Sequence, residues 1–273
     1  GDVPANVLIL LDKSGSMGAR MTNGAGVYYP EAVAFDSNGD IYAGQYYTYG
    51  IKKFTYATNA VDSSFGTSGI YKGTGNCRSY YPRAMKVHNG YLYVAGYYQH
   101  RVFRVNLSTG VCDWNHSGNY PGSLDIKNNT LYSFNSSNLL VRNLSTNTNI
   151  SCSYSGDLRN QGRYARAMTV DWSGGFMYLK NSSYTYRFAI GGNKCPQNSY
   201  GARFIDGVGS TSFGMVAHPT DARILYYTNY YSHRIEKVTL NASRDGVASR
   251  VTKGRCCTGA STTSNIKMYY PRN

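Results

Sequence analysis

Three oxygen-bearing side chains spaced two residues apart, Asp12, Ser14 and Ser16, are the most chemically pointed set in this 273-residue chain. One carboxylate and two hydroxyls make a hard-oxygen group, suited to Mg²⁺ or Ca²⁺ rather than to softer metals. Gly15 and Gly18 allow the tight loop that such a set needs. The stretch ahead of it, Val7–Leu11, is wholly apolar. That pattern suits a strand buried on both faces, with the loop at its carboxyl end. A hard cation takes about six oxygens, so these three would need completing from elsewhere.

Other chemistry is sparse. The five histidines, His88, His100, His116, His218 and His233, do not fall at metal-ligand spacing, and His100 and His233 occupy one position of a repeated phrase, which points to a structural place at a turn. No nucleophile elbow, phosphate loop or paired carboxylates stand out, and Glu31 and Glu236 are the only glutamates. General acid–base work therefore has few candidates, and the chain reads as a non-enzyme.

The six cysteines, Cys77, Cys112, Cys152, Cys195, Cys256 and Cys257, form no paired C-x-x-C set. They read as disulfide formers, with fifteen possible pairings and at least two bridges expected. Sequons at Asn106, Asn115, Asn128, Asn135, Asn143, Asn149, Asn181 and Asn241 mark surface glycans or turns rich in Asn and Ser. No apolar run is long enough to cross a membrane as a helix, and Gly1 is expected to lie near a processed terminus.

A formal charge of +14 can draw a protein toward nucleic acid, anionic polysaccharide or lipid. Here the Lys and Arg residues are scattered without a dense block, which disfavours nucleic acid as the main partner. Tyrosine is abundant (28) and charged residues are few (15 %), a polar-aromatic composition that fits a secreted β protein better than a cytosolic enzyme.

What must position these residues is a repeat. Tyr28-Tyr29-Pro30-Glu31-Ala32-Val33-Ala34-Phe35-Asp36 leads through Asn38-Gly39 to Ile41-Tyr42-Ala43-Gly44 and Ile51-Lys52-Lys53-Phe54. Tyr80-Tyr81-Pro82-Arg83-Ala84-Met85-Lys86-Val87 leads through Asn89-Gly90 to Leu92-Tyr93-Val94-Ala95 and Arg101-Val102-Phe103-Arg104-Val105. Three further units begin at Tyr120, Tyr164 and Phe213. Each reads as strand, turn, strand, turn, strand, with Asn-Gly as a hairpin signal. Repeats of this length that cannot bury their faces alone predict an all-β propeller of five blades. Tyr269-Tyr270-Pro271-Arg272 repeats the opening phrase and predicts the start of a sixth.

The units resemble the NHL repeat family, most clearly at Tyr97-Tyr98-Gln99-His100-Arg101-Val102 and Tyr230-Tyr231-Ser232-His233-Arg234-Ile235. The segment Asn6 to Met17 resembles the first strand and Asp-x-Ser-x-Ser loop of a von Willebrand factor A (VWA) domain. The reading is therefore an incomplete VWA-like segment over 1–27 and a propeller over 28–273, expected to be part of a longer precursor. The combination is similar to the amino-terminal region of type IV pilus tip-associated adhesins of the PilY/PilC kind. That resemblance implies an extracellular or cell-surface adhesion module with a divalent cation at Asp12, Ser14 and Ser16. The partner would be a protein or glycan, a pilus subunit or a copy of itself. A structural subunit of an extracellular filament and an NHL-type lyase or lactonase stand as alternatives.

Overall fold

The computed structural model describes residues 27, 30–46, 50–58, 60–181, 184–197, 202–205, 214–218, 221–229 and 234–255. They form five four-stranded antiparallel sheets arranged as a β-propeller, each sheet built from four strands consecutive in the chain. Blade 1 holds β1 (Pro30–Phe35), β2 (Ile41–Gln45), β3 (Ile51–Phe54) and β4 (Ile70–Tyr71). Blade 2 holds β5 (Pro82–His88), β6 (Tyr91–Gly96), β7 (Arg101–Asn106) and β8 (Cys112–Ser117). Blade 3 holds β9 (Ser123–Lys127), β10 (Thr130–Phe134), β11 (Leu139–Asn143) and β12 (Thr148–Ile150). Blade 4 holds β13 (Ala167–Asp171), β14 (Phe176–Lys180), β15 (Thr185–Ala189) and β16 (Ala202–Ile205). Blade 5 holds β17 (Met215–Ala217), β18 (Ile224–Asn229), β19 (Arg234–Leu240) and β20 (Val247–Arg255). One helix, α1 (Gly156–Gly162), connects blades 3 and 4.

The first strands are neighbours in succession, β1 against β5, β5 against β9, β9 against β13 and β13 against β17. Apolar residues of adjoining sheets meet in layers between the blades. Tyr42, Phe65 and Tyr71 of blade 1 face Met85, Val94 and Phe103 of blade 2, and Tyr132 and Phe134 of blade 3 face Met168, Met177 and Phe188 of blade 4. Blades 2, 3 and 4 have a neighbour on each side, and second strands are deeply covered; every residue of β2 and β10 is buried. Each second strand carries one deeply buried tyrosine, Tyr42, Tyr93, Tyr132, Tyr178 or Tyr227. Burial of such rings is the main favourable term in assembling the blades.

Polar links supplement these layers. The buried carboxylate of Asp125 in blade 3 meets Lys86 Nζ of blade 2 at 3.1 Å and accepts the Val170 backbone N–H of blade 4 at 2.8 Å. Asp171 of blade 4 pairs with Arg244 of blade 5. Two disulfides join adjoining blades: Cys77, between β4 and β5, to Cys112 on β8, and Cys152, ahead of α1, to Cys195, beyond β15. Their Cα separations, 6.2 and 5.5 Å, lie in the usual range.

Three details differ from the sequence expectation. Each sheet has a fourth, outer strand that the apolar pattern does not announce, since strands such as β8 and β12 are only partly covered. The Asn89-Gly90 turn has both residues at positive φ, as its hairpin signal requires, but at Asn38-Gly39 only the glycine does. There Asp36 sets the turn, its Oδ1 accepting the N–H groups of Asn38 and Asp40 at 2.9 and 3.0 Å and its Oδ2 the Tyr42 hydroxyl at 3.0 Å. The phrase at 269–272 lies outside the described residues, so the five sheets are those of residues 30–255.

Candidate ligand-binding face

Antiparallel register brings the start of each first strand and the end of each second strand to the same end of the propeller. Pro82 lies opposite Gly96, Ser123 opposite Phe134, and Ala167 opposite Lys180. The residues just outside those pairs gather there: Tyr46, Tyr80 and Tyr81, Tyr97 and Tyr98, and Tyr120. Their rings form one connected cluster. Tyr46 meets Tyr81 edge-on at 4.4 Å between centroids, Tyr81 lies 5.5 Å from Tyr97 and 5.0 Å from Tyr98, and Tyr97 lies 5.1 Å from Tyr120. Tyr80 joins through Tyr98 at 5.6 Å, and His100 sits edge-on to Tyr120 at 4.2 Å. Tyr98 and Tyr120 are exposed, at 37 % and 42 %, whereas Tyr81 beneath them is buried.

The backbone is held under strain in this cluster. Tyr81 (φ 57°), His100 (φ 57°) and Tyr120 (φ 52°) all adopt the left-handed region. For side chains of this bulk that conformation costs about 1–3 kcal/mol each and persists only where the surroundings enforce it, a pattern that concentrates at ligand clamps. In the first strands of blades 1 and 2 the register slips at Glu31 and Arg83, the bulge type that re-aims a side chain.

Cations converge on the same end. The Arg83 guanidinium lies 4.0 Å from the Tyr97 ring centroid and 5.2 Å from that of Tyr81, a cation–π arrangement. Arg166 takes the equivalent position in blade 4, and its backbone N–H donates to the Lys180 carbonyl at 2.7 Å. Burial, and after it the charge of Arg83, lower the affinity of Arg166 for its proton, while Tyr81, Tyr97 and Glu31 oppose that shift. Lys180 is fully buried, and its Nζ donates to the Asn181 carbonyl at 2.7 Å. Burial first and Arg166 second push its pKa down to about 8.

The sequence-derived candidates fall as follows. Asp12, Ser14 and Ser16, together with Cys256, Cys257 and His233, lie outside the described residues. Four cysteines form the two inter-blade bridges. The described histidines stand apart: His88 Nε2 lies 2.6 Å from Asn129 Oδ1, His100 is in the aromatic cluster, His116 is on β8 and His218 lies beside Tyr226. Among the described residues no three His, Cys, Asp or Glu side chains are grouped to hold a metal ion. Several sequon asparagines serve as turn caps. Asn106 Oδ1 accepts the Ser108 N–H (2.9 Å), the Ser108 hydroxyl (2.7 Å) and the Thr109 N–H (3.1 Å). Asn143 accepts the Ser145 N–H at 3.0 Å, and Asn135 accepts those of Ser137 and Asn138 at 2.8 Å each.

The repeat phrases place Tyr80-Tyr81 and Tyr97-Tyr98 beside the strands, but they do not bring Arg83, Arg166 and Lys180 together. A signal was present, because Pro82-Arg83-Ala84-Met85 and Ala165-Arg166-Ala167-Met168 set the two arginines at one repeat position.

Neither a family model nor a curated protein sequence matches the chain. Its fold has solved relatives. A chain of a nidogen/laminin complex superposes with a TM-score of 0.60 at 11 % identity, over 82 % of this chain and 80 % of that one. A putative 6-phosphogluconolactonase from Bacteroides uniformis gives 0.60 at 15 % identity, over 86 % and 75 %. A chain of Kuenenia stuttgartiensis hydrazine synthase gives 0.52 at 12 %, over 84 % and 89 %. At these identities the likeness is one of propeller fold, and function has to be argued from the site.

Proposed function

We propose that the chain is an extracellular, non-enzymatic binding module that engages a protein or glycan through the aromatic end face of blades 1–3. The observation that carries this reading is the continuous cluster from Tyr46 to Tyr120 around Arg83, with strained backbone at buried Tyr81 and at exposed Tyr120 and with Tyr98 and Tyr120 at its surface. Tyrosine and arginine are the residue types that binding surfaces favour, since rigid rings give contact area at low entropic cost. The two disulfides suit an oxidising compartment. A propeller within a nidogen/laminin complex offers a precedent for this fold among protein assemblies.

The test is the double variant Tyr98→Ala/Tyr120→Ala, assayed for retention on intact cells, on a glycan array and on immobilised surface proteins. A loss of tenfold or more with an unchanged circular dichroism spectrum is expected. Undiminished retention on every surface would remove the end face from the mechanism. Cell-surface adhesion assisted by Mg²⁺ or Ca²⁺ at Asp12, Ser14 and Ser16, including a pilus-associated role, belongs to the same proposal. It predicts that chelator and Asp12→Ala each reduce adhesion; adhesion unchanged by both would separate the metal from the binding face.

A further inference from the structure

Resting on that reading of the end face, we infer that its ligand is an acidic saccharide whose sugar carboxylate is received by Arg83 while its ring lies against the neighbouring tyrosines. Arg83 is the central observation. Its guanidinium stacks on Tyr97 and leans on Tyr81, and no carboxylate among the described residues forms a salt bridge with it. Other arginines divide into two kinds: Arg104, Arg244 and Arg250 are matched with Asp113, Asp171 and Glu236, whereas Arg142, stacked on Trp114, donates to Asn149 Oδ1, and Arg187, stacked on Phe176, donates to a backbone carbonyl. The Arg83 Nη2 donates to the Tyr81 hydroxyl at 3.5 Å; the remaining N–H groups of this planar, ring-pinned guanidinium are those that would receive a carboxylate from outside, and guanidinium geometry favours two parallel hydrogen bonds.

The surroundings strengthen the anion preference. Arg166 lies close enough for its charge to be felt with that of Arg83, and buried Lys180 adds a third cation whose one hydrogen-bond partner is a backbone carbonyl. Glu31 is a carboxylate whose charge is felt in the same group, opposing that of Arg83 at Arg166.

The surface chemistry selects a sugar over an acidic peptide. Around Arg83 the exposed apolar surface consists of the tyrosines, Tyr98 and Tyr120; among the described residues the large exposed aliphatic side chains are Val111, just ahead of β8, Val216 on β17, and Val247 and Val251 on β20, none of them in the ring cluster. Beside Tyr120 lie Asn119, Ser136 and Ser137, where Asn119 Nδ2 donates to Ser137 Oγ at 3.0 Å and Ser136 Oγ donates to the Asn119 carbonyl at 3.0 Å. Flat rings rimmed by amides and hydroxyls match a pyranose, which has an apolar face and a polar edge.

The experiment is calorimetric titration of the full chain with an oligogalacturonate, with sialyllactose, with a neutral galactose oligomer of matched length and with poly-L-glutamate, at low and high NaCl. The acidic sugars should bind at least tenfold more tightly than the neutral oligomer and weaken as salt rises. Arg83→Gln should abolish that preference, and Arg83→Lys, which keeps the charge but not the fork, should restore only part of it. The stronger of the two acidic sugars identifies the source of the carboxylate, uronate or sialate. Equal affinity for neutral and acidic oligomers, or an Arg83→Gln variant that binds like the parent, overturns the inference; so does poly-L-glutamate binding as tightly as the uronate. Should Tyr98→Ala/Tyr120→Ala still abolish retention on cells in that case, the binding face stands and only its ligand class falls. Failure of both sets of variants to alter any binding removes the face itself.

Discussion

Blades 2 and 4 are two answers to one backbone. Both open on an Arg-Ala-Met phrase, Arg83-Ala84-Met85 and Arg166-Ala167-Met168, and both bury a tyrosine in the second strand, Tyr93 and Tyr178. Each is clasped by a disulfide to the segment that precedes it. They part at the end of the second strand. Opposite Ala84 stands Ala95, followed by Gly96 and the Tyr97–Tyr98 pair; opposite Ala167 stands Lys180, followed by Asn181. The positions between blades are constrained by packing on both sides, whereas the positions at the strand ends are released from it and carry aromatic surface in one blade and buried charge in the other.

If the shared positions are equivalent, Tyr93→Ala and Tyr178→Ala should destabilise alike, by about 3–5 kcal/mol each, the usual cost of truncating a large buried ring. Urea denaturation of the two variants checks this, and a difference above about 2 kcal/mol would break the equivalence. The clasps come next. The bridged residues are separated by 35 and 43 positions. Loop entropy then assigns about 4 kcal/mol to each bridge as an upper figure, with a difference between them of only a few tenths. Cys77→Ala/Cys112→Ala and Cys152→Ala/Cys195→Ala should therefore lower stability by similar amounts, about 2–4 kcal/mol, under the same denaturant.

Where the blades differ, the sign reverses. The folded pKa of Lys180, about 8, lies below the ordinary value of 10.5. Between those values the unfolded chain holds a proton that the folded chain has released, so stability rises with pH across that window, and below about pH 8 the penalty of the buried charge is fully present. For that separation the penalty is on the order of 3 kcal/mol. Lys180→Met should stabilise the protein at pH 7 by up to this amount, less its one hydrogen bond, with the gain shrinking toward pH 10.5. The reciprocal change in blade 2, Ala95→Lys, should destabilise at pH 7. Thermal melts from pH 7 to 10.5 decide both, and a Lys180→Met gain that is flat with pH would refute the buried-charge account.

The frame of the molecule was legible because it is made of local patterns. Apolar second strands, turn residues and a recurring opening phrase sufficed to read five blades, and the cysteines read as clasps before any partner was known. The outer strands escaped, since a half-covered strand such as β8 shows no sustained apolar run. The tyrosine pairs were visible within the repeat phrases but not as a site. Read as strand neighbours, Tyr80–Tyr81 and Tyr97–Tyr98 would point to opposite faces, yet both pairs lie beyond strand ends, where turns turn their rings together. Arg83 and Arg166 come from separate blades, so their proximity depends on how blades are arranged about the axis, which spacing along a chain does not encode.

The smallest expected effect concerns the connection between third and fourth strands, where an asparagine caps the turn in both blades but gathers more donors in blade 2 than in blade 4. Asn106 Oδ1 gathers three donors from Ser108 and Thr109. In blade 4 the chain closes through Gly191 N–H to the Cys195 carbonyl at 2.8 Å, and Asn193 Oδ1 accepts one donor, the Cys195 N–H at 3.1 Å. Each exposed hydrogen bond of this kind contributes a fraction of the usual 0.5–1.5 kcal/mol, so Asn106→Ala should cost about 1 kcal/mol. The sequon reading and the turn reading then separate cleanly. Asp at this position keeps the acceptor oxygen in place and should retain most of the stability, while Gln, whose amide is one methylene farther out, should lose about as much as Ala. All three substitutions remove the sequon equally. If denaturation midpoints fall together for Ala, Gln and Asp, the residue is acting through something other than its turn, and the contrast drawn between the two blades at this connection would have to be given up.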